Sequence, residues 1–364
     1  MADIEVVGEG IVYRPLGAHA YFPCVVRLYD CLIVSMDVGM GMEGRDVRAY
    51  TVRSNDGGST WSEPRIVHEP SCDGATSTLC RISQAPDGGL IAAITLLDRA
   101  QGEGLANALT DGYVDTSFTV SHSEDGGETW SEPAPLQPAT AWKTFETCSP
   151  ILAIDDRLWL LPTSLFRNWA GDAGEGLKAV AMRSTDGGNS WLDLISVFDF
   201  TREHVAAWEQ KQVVLEDGRI FAICWAYDMQ ARVSLQNRYT FSCDGGATYG
   251  TPRIAPLQGE TCAPLALPGG HLLCVYRRTD VKGLWAHLAR LDGETWQPGA
   301  DTQVWGTAHE AYGRRTASVL EEMATLQFGY PSLTLEKYGD VFGVFWCVEE
   351  GTAQIRWFRL RIVV

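Results

Sequence analysis

The chain has 364 residues, 45% of them hydrophobic, and carries a formal net charge of −17 at pH 7. This acidic balance argues against nucleic acid or an anionic membrane surface as a partner, because both bind clustered Lys and Arg side chains. The sequence has no run of about eighteen consecutive apolar residues, so a transmembrane helix is not expected.

The N-terminus and the cysteines together predict a cytoplasmic protein. The segment MADIEVVGEG lacks the basic and apolar stretches of a secretory signal peptide. The ten cysteines are scattered, lie mostly in apolar runs and show no Cys-x-x-Cys spacing. We therefore expect buried, reduced thiols rather than disulfides or a zinc site.

In chain order, the sequence predicts an N-terminal strand and then six strand–turn–strand units. Each unit joins two β-rich runs, often through an Asp-Gly, Gly-Gly or Gly-Asp turn. The N-terminal run lies at 4–13, and the units lie at 24–38, 80–98, 149–165, 210–226, 263–277 and 331–348. No helical periodicity competes with this pattern.

A twelve-residue string recurs between these units. It reads RSNDGGSTWSEP at 53–64 and returns in modified form at 122–133, 183–194 and 241–252, with a shorter copy at 291–296. The glycines supply the positive φ angles of a tight hairpin, and the Asp carboxylate can accept backbone N–H groups across the turn. One carboxylate per turn provides too few oxygen ligands for calcium. A structural role is therefore predicted for the string.

The spacing of the aromatic residue in this string indicates the architecture. The copies at Trp61, Trp130, Trp191, Tyr249 and Trp296 are successively 69, 61, 58 and 47 residues apart. A period near fifty residues with four strands per repeat is typical of propeller blades. The sequence therefore predicts an all-β, single-domain, six-bladed β-propeller over residues 1–364, in which the N-terminal strand completes the last blade.

The repeated string resembles the Asp-box, or BNR repeat, of the sialidase (neuraminidase) superfamily, and the resemblance covers nearly the whole chain. The same turn occurs in sialidases, other glycoside hydrolases, lyases and non-catalytic glycan-binding propellers. The resemblance therefore implies the fold, while the function depends on the residues of the site.

The resemblance implies three catalytic residues. Tyr330, in a Tyr-Pro-Ser-Leu context followed by a terminal Ile-Arg-Trp, looks like the nucleophile of the family. Glu209 looks like the base that activates it, since a phenol with a pKa near 10 needs a neighbouring base before it attacks carbon. Asp46 looks like the acid/base residue, and Glu43 is a neighbour of the same chemistry.

The chain departs from the three arginines with which sialidases bind the substrate carboxylate. It has Ala20-Tyr-Phe-Pro23 where the first belongs and Cys224-Trp-Ala-Tyr-Asp228 where the second belongs. The candidates for the third are Arg277, Arg278, Arg314 and Arg315. An incomplete clamp makes a keto-acid sugar a less secure substrate, because bidentate arginines give carboxylate binding its specificity.

The starts of the inner strands give an independent view of the pocket. The string GETCAP at 259–264 repeats FETCSP at 145–150, so Glu146 and Glu260 occupy equivalent places in two blades. Besides the catalytic residues, we expect six residues to face the channel and bind substrate: His19, Tyr21, Arg81, Glu146, Glu260 and Arg277. Crowded titratable groups shift one another's pKa values, and paired carboxylates can perform hydrolysis as an acid and a base.

The leading hypothesis is a sialidase-like exo-glycoside hydrolase without metal or cofactor. It would release a terminal acidic sugar, sialic acid or a relative, from an oligosaccharide or glycoconjugate. One alternative is a hydrolase or lyase that acts on a different sugar through the pocket glutamates, which the incomplete arginine clamp favours. The other is a non-catalytic glycan-binding propeller. The sequence leaves open the sugar, the linkage, the stereochemical outcome and the oligomeric state.

Overall fold

A computed structural model of the chain describes residues 3–69, 74–101, 104–146, 148–313 and 318–363. These residues form six four-stranded antiparallel sheets, and strands of neighbouring sheets contact one another around the ring. The arrangement is an all-β, six-bladed propeller, which confirms the predicted fold class. Within these ranges, no helix is long and apolar enough to cross a membrane.

The first half of the ring follows the N-terminal strand β1 (Asp3–Tyr13). Blade 1 contains β2 (His19–Leu28), β3 (Cys31–Gly39), β4 (Arg48–Ser54) and β5 (Arg65–Ile66). Blade 2 contains β6 (Thr76–Gln84), β7 (Leu90–Asp98), β10 (Thr116–Ser123) and β11 (Ala134–Leu136), with the hairpin β8 (Ala106–Asn107) and β9 (Gly112–Tyr113) inserted. Blade 3 contains β12 (Leu152–Ala153), β13 (Trp159–Ser164), β14 (Ala179–Ser184) and β15 (Asp193–Phe198).

The second half of the ring repeats this plan. Blade 4 contains β16 (Val205–Val214), β17 (Ile220–Asp228), β18 (Val233–Ser242) and β19 (Arg253–Ile254). Blade 5 contains β20 (Gly259–Leu267), β21 (His271–Arg278), β22 (Leu284–Asp292) and β23 (Thr295–Trp305). Blade 6 contains β24 (Phe328–Leu335), β25 (Val341–Glu349), β26 (Thr352–Val363) and β1. Short 3-10 turns lie at Thr201–Glu203 and Pro268–Gly270, and a single helical turn, α1, spans Val319–Met323.

The first and last strands close the ring. β1 pairs antiparallel with β26 from Asp3 opposite Val363 to Tyr13 opposite Ile355, with two register shifts on the way. The N-terminal strand is therefore the outermost strand of blade 6, as the sequence predicted.

The repeated strings form the turns between the third and fourth strands of blades 1 to 4. In blade 1, Asp56 accepts the backbone N–H of Thr60 at 2.9 Å and its hydroxyl at 2.6 Å. The hydroxyl of Ser54 donates to Asp56 at 2.8 Å and accepts the N–H of Gly58 at 2.8 Å. The same pattern recurs around Asp125, Asp186 and Asp244. Each Asp thus closes its own turn, which supports a structural role.

The turns also pack one blade against the next. Gly58 has a φ of +91°, and a Cβ atom there would lie 3.0 Å from the ring of Phe342 in the adjacent blade. Trp61 packs against the same ring, with centroids 6.3 Å apart. The glycine therefore provides both the left-handed backbone and the close approach between blades 1 and 6.

The cysteines are free within the described residues. Seven are buried, Cys31 is half-buried and Cys243 is exposed. Cys72 lies outside the described residues. The buried thiols agree with the expectation of reduced cysteines in the core.

Candidate active site

Irregularities in the first strands turn selected side chains away from the regular pleat. Strands β2, β16, β20 and β24 each contain a β-bulge, and their residues Phe22, Glu209, Thr261 and Tyr330 have φ angles between 49° and 56°. Positive φ is strained for such residues, and strain of this kind concentrates at functional sites. Phe22, Glu209 and Tyr330 all line one cavity.

This cavity has a volume of about 120 Å³ and is lined from blades 1, 2, 3, 4 and 6. Among the residues that the structure describes, its charged lining residues are Glu43, Arg81, Glu146 and Glu209, and nine of the sixteen lining residues have aliphatic, thioether or phenyl side chains. A concave, largely apolar pocket with a few converging polar groups is the usual form of a small-molecule site.

Glu146 and Glu209 form a buried carboxyl pair in the cavity. The backbone N–H of Glu209 donates to Oε2 of Glu146 at 2.6 Å, and each residue is only 8% exposed. Burial raises the pKa of Glu146 to about 8, and the charge of Glu209 adds to the shift, so Glu146 is protonated at neutral pH. Burial also raises the pKa of Glu209, while Oε2 of Glu209 has no hydrogen-bond partner among the described residues. The pair combines an acid whose burial favours the protonated form with a second buried carboxyl at the cavity wall.

Two cations contact the phenol of Tyr330. Nε of Arg81 donates to the Tyr330 hydroxyl at 2.8 Å, and Nζ of Lys211 lies 4.2 Å from the ring centroid. The hydroxyl itself donates to the carbonyl oxygen of Cys148, and burial raises the pKa of the phenol well above 10. Tyr330 is therefore a neutral phenol whose proton is directed to a backbone carbonyl rather than to a carboxylate base.

A buried ion pair fixes Arg81 in this position. Its Nη1 donates to Asp37 at 2.8 Å and to the carbonyl of Cys80 at 2.7 Å. Burial raises the pKa of Asp37 to about 6, although the neighbouring guanidinium opposes the shift. Arg81 is thus held between a carboxylate and a phenol before any ligand binds.

Glu260 and Arg277, both predicted to bind substrate, hold each other outside the cavity. Nε and Nη2 of Arg277 donate to Oε2 of Glu260 at 3.1 and 2.7 Å, and the hydroxyl of Tyr312 donates to the same oxygen at 2.7 Å. Nη1 of Arg277 donates to the carbonyl of Phe328 at 2.9 Å. Neither charged residue lines the cavity, and both are at most 2% exposed. Their contacts make them part of the packing between blades 5 and 6.

The residue opposite on the paired strand explains why Glu146 and Glu260, from two copies of one motif, have different surroundings. Glu260 lies opposite Arg277 in the ladder of β20 and β21. Glu146 lies opposite Ser164, whose carbonyl accepts its backbone N–H at 2.8 Å. Because serine cannot neutralise a carboxylate, Glu146 has no cationic partner among the described residues, and its burial favours the protonated form.

His19 and Tyr21 lie between blades 1 and 6 and do not line the cavity. Nδ1 of His19 accepts the N–H of Ala353 at 3.0 Å. Tyr21 packs edge-on against Trp346, with centroids 5.1 Å apart. The bulge at Phe22 shifts the pleat, so that Phe22 faces the cavity in place of its neighbour. Neither residue is among the described lining residues of this cavity, and their substrate-binding role stays a prediction.

The loop before β4 presents Glu43 to the cavity, whereas Asp46 points elsewhere. Asp46 is exposed, and its carboxylate accepts the N–H of Met40 at 2.8 Å. Glu43 lines the cavity and accepts the N–H of Leu105 at 3.2 Å, and burial raises its pKa. A catalytic role for Asp46 stays a prediction that this loop geometry does not support.

Arg81 is the one arginine among the described lining residues. Arg278 is paired with Asp280 at 2.5 Å and does not line the cavity. Arg314 and Arg315, which the sequence offered as alternatives, lie outside the described residues. The described part of the cavity therefore presents one arginine and three carboxyl groups to a ligand.

Two charged residues of this region were not among the sequence candidates. Lys211 follows Glu209 by two residues, so the alternation of a strand could have placed it near the same axis. Asp37 lies on a second strand and has no local signal that links it to Arg81. No group of three or more His, Cys, Asp or Glu residues in the described ranges is arranged to hold a metal ion.

The chain is similar to a known family and to several solved structures. The family model for the BNR repeat-like domain matches residues 14–342. A Dyadobacter fermentans protein of unknown function has a TM-score of 0.76 at 19% identity, over 99% of each chain. The intramolecular trans-sialidase from Ruminococcus gnavus has a TM-score of 0.66 at 12% identity over 94% of each chain, and the Penicillium chrysogenum alpha-L-arabinanase has 0.67 at 15% over 98% of each. No curated protein matches the chain. At these identities the structural likeness establishes the fold alone.

Proposed function

Since the chain belongs to the BNR repeat-like domain family, we propose that it is a glycoside hydrolase that cleaves a glycosidic bond in its central cavity. The fold likeness to a trans-sialidase and an arabinanase supports this proposal. The observation that carries it is the buried carboxyl pair of Glu146 and Glu209. Two carboxyl groups whose environments separate their protonation states are the usual catalytic pair of glycosidases.

In this mechanism Glu146 is the general acid. Its pKa of about 8 keeps it protonated at neutral pH, so it donates its proton to the leaving oxygen as the glycosidic bond breaks. Glu209 is the partner carboxylate: burial raises its pKa, but the positive charges of Arg277 and Lys211 favour its ionised form. Its carboxylate attacks the anomeric carbon or takes a proton from the attacking water. Its negative charge stabilises the oxocarbenium-like transition state.

The charges in the cavity favour a neutral sugar. Glu43 and the carboxyl pair line the cavity together with Arg81, and the charge of that arginine is already balanced by buried Asp37. An additional carboxylate on the substrate would be repelled by Glu209 and would compete for a guanidinium that is already engaged.

A sialidase-type mechanism is the second candidate, and the contacts of Tyr330 favour it. Arg81 donates to the phenol oxygen and Lys211 lies over the ring, so both would stabilise a phenolate. Tyr330 would then be the nucleophile, Glu209 its base, and sialic acid or a related acidic sugar the substrate. This candidate requires the Tyr330 proton to leave the carbonyl of Cys148 and reach a carboxylate.

Hydrolysis of paired glycosides with good and poor leaving groups tests the proposal. We expect Glu146→Gln to lower kcat/KM by about 10²–10⁴-fold for alkyl glycosides and far less for dinitrophenyl glycosides, which need no acid assistance. Tyr330→Phe should retain activity on neutral glycosides, and Glu175→Gln, at an exposed position, serves as the matched control.

Three other results would contradict the leading mechanism. Turnover restricted to sialic acid glycosides and abolished in Tyr330→Phe would establish the second candidate. If Glu146→Gln lowers kcat/KM equally for alkyl and dinitrophenyl glycosides, Glu146 is not the general acid. Glycan binding without turnover of any substrate, unchanged in both variants, would identify a binding protein.

A further inference from the structure

Most of the wall of the central cavity is apolar. Its larger apolar residues are Phe22, Leu79, Leu105, Phe166, Met323 and Leu326. They come from β2, from β6, from the segment before β8, from the segment after β13 and from the end of α1 with the residues that follow it. Apolar surface therefore surrounds a ligand from several sides and is not confined to one patch.

The polar side chains of the described lining include Glu43 and Tyr113 as well as a group around Arg81 and Glu146 whose members contact one another. Arg81 donates to Asp37 and Tyr330, and Glu146 accepts the backbone N–H of Glu209. These groups can bind the glycosidic oxygen and some ring hydroxyls. A hydroxyl placed against the apolar wall would lose its hydrogen bonds to water without replacing them.

We propose that the sugar held in this cavity is a neutral 6-deoxyhexose, whose C6 methyl group packs against the apolar wall. Its turnover rests on the proposed hydrolase function, whereas its binding does not. The carboxyl group of Glu43 accepts hydrogen bonds from ring hydroxyls, Glu146 and Glu209 lie at the glycosidic bond, and the methyl group needs no hydrogen-bond partner. The ring then binds through one polar side, and its C5 substituent lies against the hydrocarbon surface.

The preference for a methyl group at C5 has an expected magnitude and a rank order in kcat/KM. Replacing hydrogen at C5 by a buried methyl group should increase kcat/KM about fourfold, as expected for one buried carbon. Replacing the methyl group by hydroxymethyl should decrease it about 10–100-fold, because the six apolar side chains named above offer the added hydroxyl no hydrogen bond. The 6-deoxy sugar should therefore exceed the pentose, and the pentose should exceed the hexose.

Sets of aryl glycosides that share one ring configuration provide the test. One set is β-D-fucoside, α-L-arabinopyranoside and β-D-galactoside, which carry methyl, hydrogen and hydroxymethyl at C5. A second set is α-L-fucoside, β-D-arabinopyranoside and α-L-galactoside, and a third compares α-L-rhamnoside with α-L-mannoside. Binding of the corresponding free sugars to the intact wild-type protein is measured in parallel by titration calorimetry.

Two matched variants locate the effect. Met323→Gln adds an amide of nearly equal size to the half-buried edge of the wall, and it should reduce the preference for methyl over hydroxymethyl. Met40→Gln makes the same change at a position that is 67% exposed, and it should leave the preference unchanged.

The outcomes separate this inference from the proposed function. If the 6-deoxy sugar ranks first in both turnover and binding, the hydrolase function and the 6-deoxyhexose preference are both supported. If it ranks first in binding but no sugar is turned over, the preference is supported and the hydrolase function is excluded. Turnover in which hydroxymethyl equals or exceeds methyl supports the hydrolase and overturns this inference. Binding of none of the 6-deoxy sugars at the highest soluble concentration, or turnover of sialic acid glycosides alone, also overturns it.

Discussion

The buried pair of Glu260 and Arg277 permits a sharp test of structural against substrate-binding roles. The proposed change is Glu260→Gln, which preserves the shape of the side chain and removes its charge. Sequence reasoning assigns both residues to substrate binding, whereas the structure ties them to each other beside the cavity. A substrate-binding role predicts a raised KM with little change in stability, and a structural role predicts the reverse.

The contacts give the expected magnitude. Oε2 of Glu260 accepts two donors from Arg277 and one from Tyr312, and Oε1 accepts the hydroxyl of Ser234 at 3.0 Å. Removing one partner of such a buried pair costs about 3–5 kcal/mol, because the other charge is left buried without compensation. This is a large part of the roughly 5–15 kcal/mol that stabilises a typical protein.

Equilibrium unfolding in urea measures the effect. The control is Glu350→Gln. Oε2 of Glu350 accepts a hydrogen bond from Nη2 of Arg14 at the same 2.7 Å that joins Arg277 to Glu260, but the side chain of Glu350 is 81% exposed. Loss of an exposed pair should cost about 0–1 kcal/mol. A structural role for Glu260 is refuted if the free energies of unfolding of both variants lie within about 1 kcal/mol of the wild type. It is refuted more directly if Glu260→Gln raises KM without changing the unfolding midpoint.

Three further predictions concern pH, the repeated turns and the thiols. Because the pKa of Glu146 is raised from 4.5 to about 8, its contribution to stability is present below pH 4.5 and is lost as pH rises through 8. The value of kcat/KM should fall over the same alkaline range. Glu146→Gln should flatten the dependence of stability on pH. An unchanged activity between pH 7 and 9 would remove Glu146 as the acid. Hydrogen bonds from Thr60 lower the pKa of Asp56 from 3.8 to about 2, so Asp56 stabilises the fold above pH 3.8 and loses this effect as pH falls through 2. The thermal unfolding midpoints of wild type and Asp56→Asn should therefore converge as the solution is acidified. A constant difference would contradict the role of the carboxylate charge. Cys243 is exposed, so Cys243→Ser should remove one rapidly reacting thiol from a titration of the native protein with an aromatic disulfide, whereas Cys224→Ser, at a buried position, should not.

Local sequence signals predicted the repeated turns and the ring. A turn such as Ser54–Thr60 is determined by its own side chains and glycines, so its string is sufficient to recognise it. The closure of the ring also followed from the sequence, because the last predicted blade lacked a fourth strand and the N-terminal strand had no other partner.

The site was harder to predict because non-local contacts determine it. Glu146 and Glu260 share a motif, yet one faces the cavity and the other faces an arginine, and the difference comes from the residues opposite them on the paired strands. A single bulge likewise replaces Tyr21 by Phe22 at the cavity. Neither the identity of a cross-strand partner nor the position of a bulge is visible in a short motif.

The pairing of β1 with β26 also has a consequence for synthesis on the ribosome. The last residue of β1 is Tyr13 and the first of β26 is Thr352, so 339 positions separate them. At about 5–20 residues per second, the N-terminal strand waits roughly 17–70 s for its partner to be translated. During that time blades 1 to 5 can form, while an extended edge with unpaired N–H and C=O groups stays exposed. Slow translation and crowding of nascent chains should therefore promote aggregation through the N-terminal strand, and chaperones that bind extended segments should protect it.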